Sequence, residues 1–391
     1  MSHFSTMRRR KPDNVVYGNR LLPTESIRRI AVFRALQLGD MLCTVPALRA
    51  LRNAAPYATI TLIGLPWAAS FASRFDEYLD EFVEFPGFPG LPEHTPELNK
   101  LPQFISSVQQ QRFDFALQMH GSGGLSNPLT VILGAAHNAG FYQPDQYCPD
   151  PARFFQWNEH EHEVLRYVRF MTLLGAPEQG THLEFPLYES DQHALLRSDA
   201  NLPAPGSYAC IHPGSRLPSR RWPPERFAEI ADRLAAAGLK IVLTGSPSEA
   251  SITRSVRKAM RMPSLDLTGK TELGALAMLI SDARLLVCND TGVSHIAAAV
   301  ATPSIVISSG ADAERWAPLD RERHRVLHHP IECRPCPHES CPLPDHPCSR
   351  NVSTEMVWEE TAGLLRDMSY AGMQIRRENG NQHFAVPPLR H

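Results

Sequence analysis

Two short stretches carry residue types that could hold a phosphate and move a proton. One is Asn289-Asp290-Thr291-Gly292, with Ser294 and His295 just beyond it. The apolar run Leu285-Leu286-Val287 precedes it and the alanine-rich run Ile296 to Ala299 follows, so the pattern reads strand, tight turn, helix. The start of such a helix offers unpaired N–H groups and partial positive charge to an anion. Gly292 would let the main chain come close to that anion, and His295 would sit one turn in. Asp290 or Thr291 acting as a plain helix cap accounts for the same spacing. The other stretch is Leu38-Gly39-Asp40, which follows a strand pattern and opens a helix. A carboxylate there stands where ligands bind in open α/β sheets, although a capping aspartate is read from position just as readily. An Asp-Thr-Gly triplet also serves aspartic proteases, but those need two such loops in β-rich surroundings. This chain has one, and it feeds a helix.

Further polar groups fall at the ends of other strand patterns. Ser215 and Arg216 follow residues 208–212, and Arg220-Arg221-Trp222-Pro223 leads into an amphipathic helix. Arginine suits bidentate phosphate recognition, and a solvated helix start is the plainer reading of the same pair. Gly245-Ser246 with Glu249 follows residues 240–245. Cys333, Cys336, Cys341 and Cys348 lie together in a proline-rich segment as C-x2-C-x4-C-x6-C. Four neighbouring thiols suit a structural zinc ion better than disulfides in a reducing compartment; reduced thiols are the alternative. Cys43, Cys210 and Cys288 read as small buried hydrophobes, and Cys148 lies in a loop.

The elements that must position these groups alternate between strand and helix. Residues 27–34, 58–65 and 113–119 read as strands, with a helix at 41–54 between the first two. The third strand ends in His120-Gly121-Ser122-Gly123-Gly124, a turn that could admit a ligand but lacks the dinucleotide-binding glycine pattern. A proline- and glycine-rich loop at 86–102 reads as an excursion near the substrate cleft. Residues 137–165 read as connecting structure, 164–174 as a helix, and 186–206 as an interdomain linker. The alternation then restarts with strands at 208–212, 240–245, 265–269, 285–290 and 304–308. Two doubly wound α/β domains facing each other across a cleft are the expected architecture.

Bulk properties exclude several classes. The 391 residues are 43% hydrophobic and 20% charged with net charge −2, as for a globular chain with two cores and no basic field for nucleic acid. No apolar run approaches the roughly eighteen residues needed to span a bilayer. The basic run Met7 to Lys11 has no apolar stretch behind it and is no secretory signal. It suits either a plain tail or peripheral contact with anionic headgroups on the inner face of the cytoplasmic membrane. The expected location is the cytoplasm.

Taken together, Leu38-Gly39-Asp40, Gly214-Ser215 with Arg220-Arg221-Trp222-Pro223, Gly245-Ser246 with Glu249, and Asn289-Asp290-Thr291-Gly292 with Ser294-His295 resemble glycosyltransferase family 9. That family contains the ADP-heptose:lipopolysaccharide heptosyltransferases. The match covers most of residues 28–365 in order, and its cysteine cluster is also similar. The resemblance implies a GT-B fold and an inverting transfer that requires no cofactor. It implies a nucleotide-sugar donor, ADP-linked for preference, and a glycan or glycolipid acceptor. Residues 1–25 read as a loose extension; the resemblance further implies an acceptor-binding domain at 26–190 and a nucleotide-sugar-binding domain at 205–350. A helix at 351–370 would pack back on the first domain, before a tail at 371–391. On the same basis Asp40 matches the general base, and Arg220 the cation that offsets charge on the departing diphosphate. Ser215, Arg216, Asp290, Thr291, Gly292 and His295 match the diphosphate site, and Glu249 an acidic residue that contacts the nucleoside. Departures are the loop at 86–102, both terminal extensions, and an acceptor side with few basic residues for an anionic lipopolysaccharide core. A related sugar-nucleotide enzyme such as an epimerase, or a non-catalytic nucleotide-binding protein of this fold, shares many of these features.

Overall fold

In a computed structural model, residues 21–22 and 26–378 are described, with side chains described as far as Asp367. The basic run at Met7 to Lys11 and the tail beyond residue 378 lie outside the described residues. Leu21 and Leu22 belong to the stretch expected to be loose, yet Leu22 is fully buried and its N–H donates to Leu174 O at 3.0 Å.

Each half of the chain builds one six-stranded sheet. The first contains β1 (Arg29–Phe33), β2 (Thr59–Gly64), β3 (Glu81–Glu84), β4 (Phe115–Gln118), β5 (His137–Tyr142) and β6 (Phe154–Gln156), ordered β3-β2-β1-β4-β5-β6. The second contains β7 (Tyr208–His212), β8 (Lys240–Leu243), β9 (Leu265–Asp266), β10 (Leu285–Asn289), β11 (Ser304–Ile307) and β12 (His324–Leu327), ordered β12-β11-β10-β7-β8-β9. Every pairing is parallel. Both sheets are covered on both faces, which explains why their central strands read as apolar runs. Ile30 and Val32 face one core layer while Ala31 and Phe33 face the other. The strand order reverses between β1 and β4 and again between β7 and β10. At such a switch point the flanking helices diverge and leave a crevice at the carboxyl ends of the strands.

Several elements differ from the sequence expectation, each for a local reason. The helix expected over 41–54 is two helices, Leu38–Leu42 and Val45–Ala54, broken before Pro46. Asp40 therefore lies inside the first turn of a short helix and does not precede it. Residues 137–165 contribute β5 and β6, so they are more than connecting structure. The region 186–206 contains the helix Glu189–Ser198, which packs on the helix Leu273–Asp282 of the second half. Arg74 pairs with Asp191 at 2.6 Å there, and both side chains fill the space beside Gly274. The last helix, Thr354–Glu378, packs on the helix Pro224–Ala236, β11 and β12 of the second half. Val357 and Leu364 complete the apolar layer on that sheet's outer face, and Arg325 pairs with both Glu360 and Asp367. Burial of that stripe holds the described part of the helix to its own domain. Among the described residues no helix is long and apolar enough to cross a membrane.

Candidate active site

The first crevice is built around one buried arginine. Arg34, immediately after β1, donates to Asp40 O from Nη2 at 2.7 Å and from Nε at 3.1 Å, and its Nη1 donates to Met119 O at the end of β4. One guanidinium thus fixes the segments that follow both switch-point strands. Arg34 stands 4.5 Å over the Tyr167 ring and pairs with Glu163 at 3.3 Å. Glu163, fully buried, also pairs with Arg166 and, at 2.9 Å, with Arg315 from the second half. Burial would raise the Glu163 pKa, but Arg315, Arg34 and Arg166 outweigh it and hold the carboxyl below its ordinary range.

Asp40 feels the same cluster differently. Burial pushes its carboxyl up to about 6, opposed by Arg34 and reinforced by Glu163. A carboxylate poised there is ionised at neutral pH yet far more basic than an exposed aspartate, as a proton acceptor needs to be. Across the cleft the helix Gly292–Ala299 begins against it. A β-carbon on Gly39 would lie 3.3 Å from Gly292 Cα, and one on Gly292 would lie 3.2 Å from Gly39 N. The two helix starts abut because both residues are glycine. Gly39, next to the expected base Asp40, therefore packs against the start of the helix expected to hold the diphosphate.

In the second crevice Asn289, at the end of β10, ties the surrounding loops together. Its Oδ1 accepts from Trp222 N–H at 2.9 Å, and its Nδ2 donates to Pro213 O at 2.8 Å. Arg221 Nε donates to Ser215 O at 2.8 Å, shaping the loop of Ser215 and Arg216. Arg220 donates from Nη2 to Cys336 O at 2.7 Å, while its Nη1 is buried and has no hydrogen-bond partner among the described residues. Asp290 accepts from Ser308 Oγ at 3.0 Å, and burial raises its pKa. Thr291 occupies the cap position of the helix without a side-chain bond, so neither residue is the simple cap that spacing allowed. Among the described residues the Gly292 N–H finds no backbone partner.

These residues lie in a chain that other proteins resemble. A family profile for "Glycosyltransferase family 9 (heptosyltransferase)" matches residues 102–346, more than half of the chain. The chain belongs to glycosyltransferase family 9. It is 23% identical over 335 residues to lipooligosaccharide heptosyltransferase 2 of Campylobacter jejuni, covering 84% of this chain and 96% of that protein. The structure of E. coli ADP-heptose lps heptosyltransferase II superposes with TM-score 0.69 at 20% identity, covering 88% of this chain and all of that one. The structure of E. coli heptosyltransferase WaaC with ADP-2-deoxy-2-fluoro heptose superposes with TM-score 0.60 at 19% identity, over 86% and 99% of the two chains. The fold is accordingly GT-B, and the protein is a glycosyltransferase.

Two of the residues matched to the family also make contacts within the protein. Glu249 Oε2 accepts from Ser246 N–H at 2.7 Å and Ser246 Oγ at 2.8 Å, closing a capping box, and its carboxyl fills the space beside Gly214. His295 turns toward the first domain. Its Nδ1 lies 3.7 Å from Cys43 Sγ, and burial pushes its pKa down to about 4. It also lines a cavity of about 510 Å³ between the domains, together with His162, His324 and Leu183.

The cysteine segment is a strap over the second crevice. Cys336 N–H donates to Gly310 O at 2.8 Å, Ser219 N–H donates to Glu339 O at 2.9 Å, and Ser349 Oγ donates to Arg221 O at 2.9 Å. Arg334 donates to Ser308 O at 2.7 Å and Ser309 O at 2.6 Å. Cys336 and Cys348 are buried, Cys341 is half-buried and Cys333 is exposed. Among the described residues no three His, Cys, Asp or Glu side chains are placed to hold a metal ion, so the zinc site suggested by Cys333, Cys336, Cys341 and Cys348 finds no support. Backbone hydrogen bonds order the strap instead. Arg34, Glu163, Arg315 and Arg334 escaped sequence reading; only the Glu163–Arg166 spacing of i,i+3 hinted at any of them.

Proposed function

We propose that the chain is an inverting, metal-independent heptosyltransferase that moves heptose from ADP-heptose to a saccharide of the lipopolysaccharide core type. The observation that carries this reading is the approach of Gly39 to Gly292, which brings the short helix holding Asp40 against the start of the helix Gly292–Ala299. The names of the relatives and the ADP-sugar bound in the E. coli WaaC structure support the donor.

In this mechanism the Asp40 carboxylate accepts the proton of an acceptor hydroxyl as that oxygen attacks the anomeric carbon. The bond to the diphosphate breaks on the opposite face, which inverts the centre. Charge builds on the departing diphosphate, and Arg220 Nη1, Arg216, Ser215 and the N–H groups at Thr291 and Gly292 would offset it. Asp290, hydrogen-bonded to Ser308, shapes the turn. His295 braces the helix start against the first domain, and Glu249 holds the loop beside Gly214 on which the nucleoside would rest. Held donors of this kind supply the stabilisation that a divalent ion gives in other transferases.

Calorimetric titration with ADP, UDP, GDP and dTDP in the presence of EDTA tests the donor half. ADP is expected to bind at least about tenfold more tightly than the others, a difference of roughly 1.4 kcal/mol. Tighter binding of another nucleotide would remove the ADP-heptose assignment, and dependence on a divalent ion would remove the metal-free mechanism.

A further inference from the structure

The acceptor side of the cleft holds a pair that the mechanism above does not use. His120 follows β4 and is nearly immobilised. Ala35 N–H donates to its Nδ1 at 3.2 Å, and its ring stacks on Phe33 with centroids 5.2 Å apart and planes inclined by 24°. Its carbonyl accepts from Ser126 Oγ at 2.8 Å and from Gln118 Nε2 at 3.2 Å. Since Nδ1 is the acceptor, the neutral ring carries its proton on Nε2. Burial, aided by Arg34, keeps the ring neutral, with a pKa near 3.

That Nε2 faces Glu93, brought in by the proline- and glycine-rich loop at 86–102. Phe88 and Leu91 seat the loop on the first core, and Glu97 N–H donates to Pro86 O at 2.9 Å across its base. Glu93 Oε2 is 3.8 Å from His120 Nε2, too far for a hydrogen bond. The same oxygen is buried without a hydrogen-bond partner among the described residues. A buried carboxylate oxygen left unpaired is costly and calls for a ligand to satisfy it. Arg216 of the second domain is close enough to act on Glu93, so the carboxylate lies where acceptor and donor meet. Next to His120 in the chain, Gly121 has φ +68° and open space where a side chain would stand.

We propose that Glu93 and His120 read one free hydroxyl of the acceptor sugar, and that the acceptor carries no phosphate or carboxylate at the position they face. This rests on the glycosyltransferase reading above and names the acceptor class for the same site. An oxygen about 2.8 Å from each partner fits a gap of this width, accepting from Nε2–H and donating to the carboxylate. A phosphate has no proton to give Glu93 and is repelled by it. An ammonium group has no lone pair for His120. A hydroxyl satisfies both.

The test uses Glu93→Gln, nearly identical in shape, with ADP-heptose as donor. The acceptors are deacylated lipopolysaccharide core, as isolated and after removal of its phosphate esters with hydrofluoric acid. The wild type is expected to prefer the dephosphorylated core in kcat/KM by about tenfold or more, the size of one well-placed charged hydrogen bond. In Glu93→Gln that preference should collapse toward unity while the acceptor KM rises. Comparing the two ratios isolates Glu93 from other effects of dephosphorylation. ADP affinity by calorimetry should be the same in both proteins. An unchanged ratio, or a wild-type preference for the phosphorylated core, would overturn the pair. Altered ADP affinity in Glu93→Gln would assign the carboxylate to the donor loop through Arg216 and would also overturn it. Absence of ADP binding by the wild type would overturn both this inference and the reading beneath it.

Discussion

Asp40→Asn is expected to lower kcat by about 10³-fold, close to 4 kcal/mol of transition-state stabilisation, while ADP affinity changes less than about twofold. The argument rests on position and protonation together. Asp40 follows Gly39, which packs against the helix start at Gly292, and its backbone is pinned by Arg34, so asparagine keeps the geometry and loses only the basic oxygen. In the wild type the acid limb of the kcat/KM profile should fall near pH 6, where burial places the Asp40 carboxyl, and the variant should lack it. The same shift carries a stability consequence. The folded-state pKa lies above the ordinary value of 3.8, so the native state binds this proton more tightly than the unfolded chain does. Its contribution is most favourable below 3.8 and is lost as pH rises through about 6. Asparagine escapes that loss, so Asp40→Asn should melt higher than the wild type at pH 7.5 and converge with it in acid. A variant that is inactive, binds ADP poorly and melts lower would instead assign Asp40 a purely structural part.

How much of this the sequence disclosed follows from the range of the interactions involved. The central strands β1, β2, β7, β8, β10 and β11 are apolar runs bounded by turns, and a run of that kind is a local pattern. The turns at both switch points are local too, so Asp40, Ser215 and Asp290 could be placed at strand ends before any contact was known. The strands toward the β6 edge of the first sheet were not legible. Residues 137–142 read His-Asn-Ala-Gly-Phe-Tyr, with half their positions polar or glycine, and they become β5 only because β4 offers an open ladder. The helix Glu189–Ser198 hid in a stretch whose prolines suggested a linker, and its hold on the second half comes from packing on the helix Leu273–Asp282. The four cysteines have a metal-like spacing, but spacing does not say how the backbone between them turns. The strap's hydrogen bonds to Ser219, Gly310 and Arg221 decide that, and they join residues 26 to 128 positions apart in the chain. Glu93 and His120 illustrate the same limit. One sat in a loop set aside as an excursion and the other in a glycine turn with no ligand assigned. Their 3.8 Å approach exists only after the loop has folded over the sheet.

Glu163→Gln is expected to destabilise the protein by roughly 3–5 kcal/mol, the range for breaking a buried ion pair from one side. Arg34 and Arg166 are almost completely buried, and Arg315 reaches the same carboxylate from the second half at 2.9 Å. Glutamine keeps the volume but withdraws the charge and turns an NH₂ group toward guanidinium donors, so cations remain buried without compensation. The loss should be full at neutral pH. The Glu163 pKa is held below its ordinary 4.5 in the folded protein, so its stabilisation is present above that value and disappears only as pH falls through the lowered one. The gap in melting temperature between wild type and variant should therefore close in acid. A purely packing role would leave catalysis with its original pH dependence, and this is where the cluster separates from an inert core. Glu163 is one of the groups that raise the Asp40 pKa, and Arg315 is one that lowers it. Glu163→Gln should move the acid limb of kcat/KM below pH 6, and Arg315→Met should move it above, each measured on the fraction of enzyme that binds ADP. Opposite displacements from two residues that touch each other would tie the ionic bridge between the domains to the base. Identical limbs in all three proteins would confine Glu163 to stability alone.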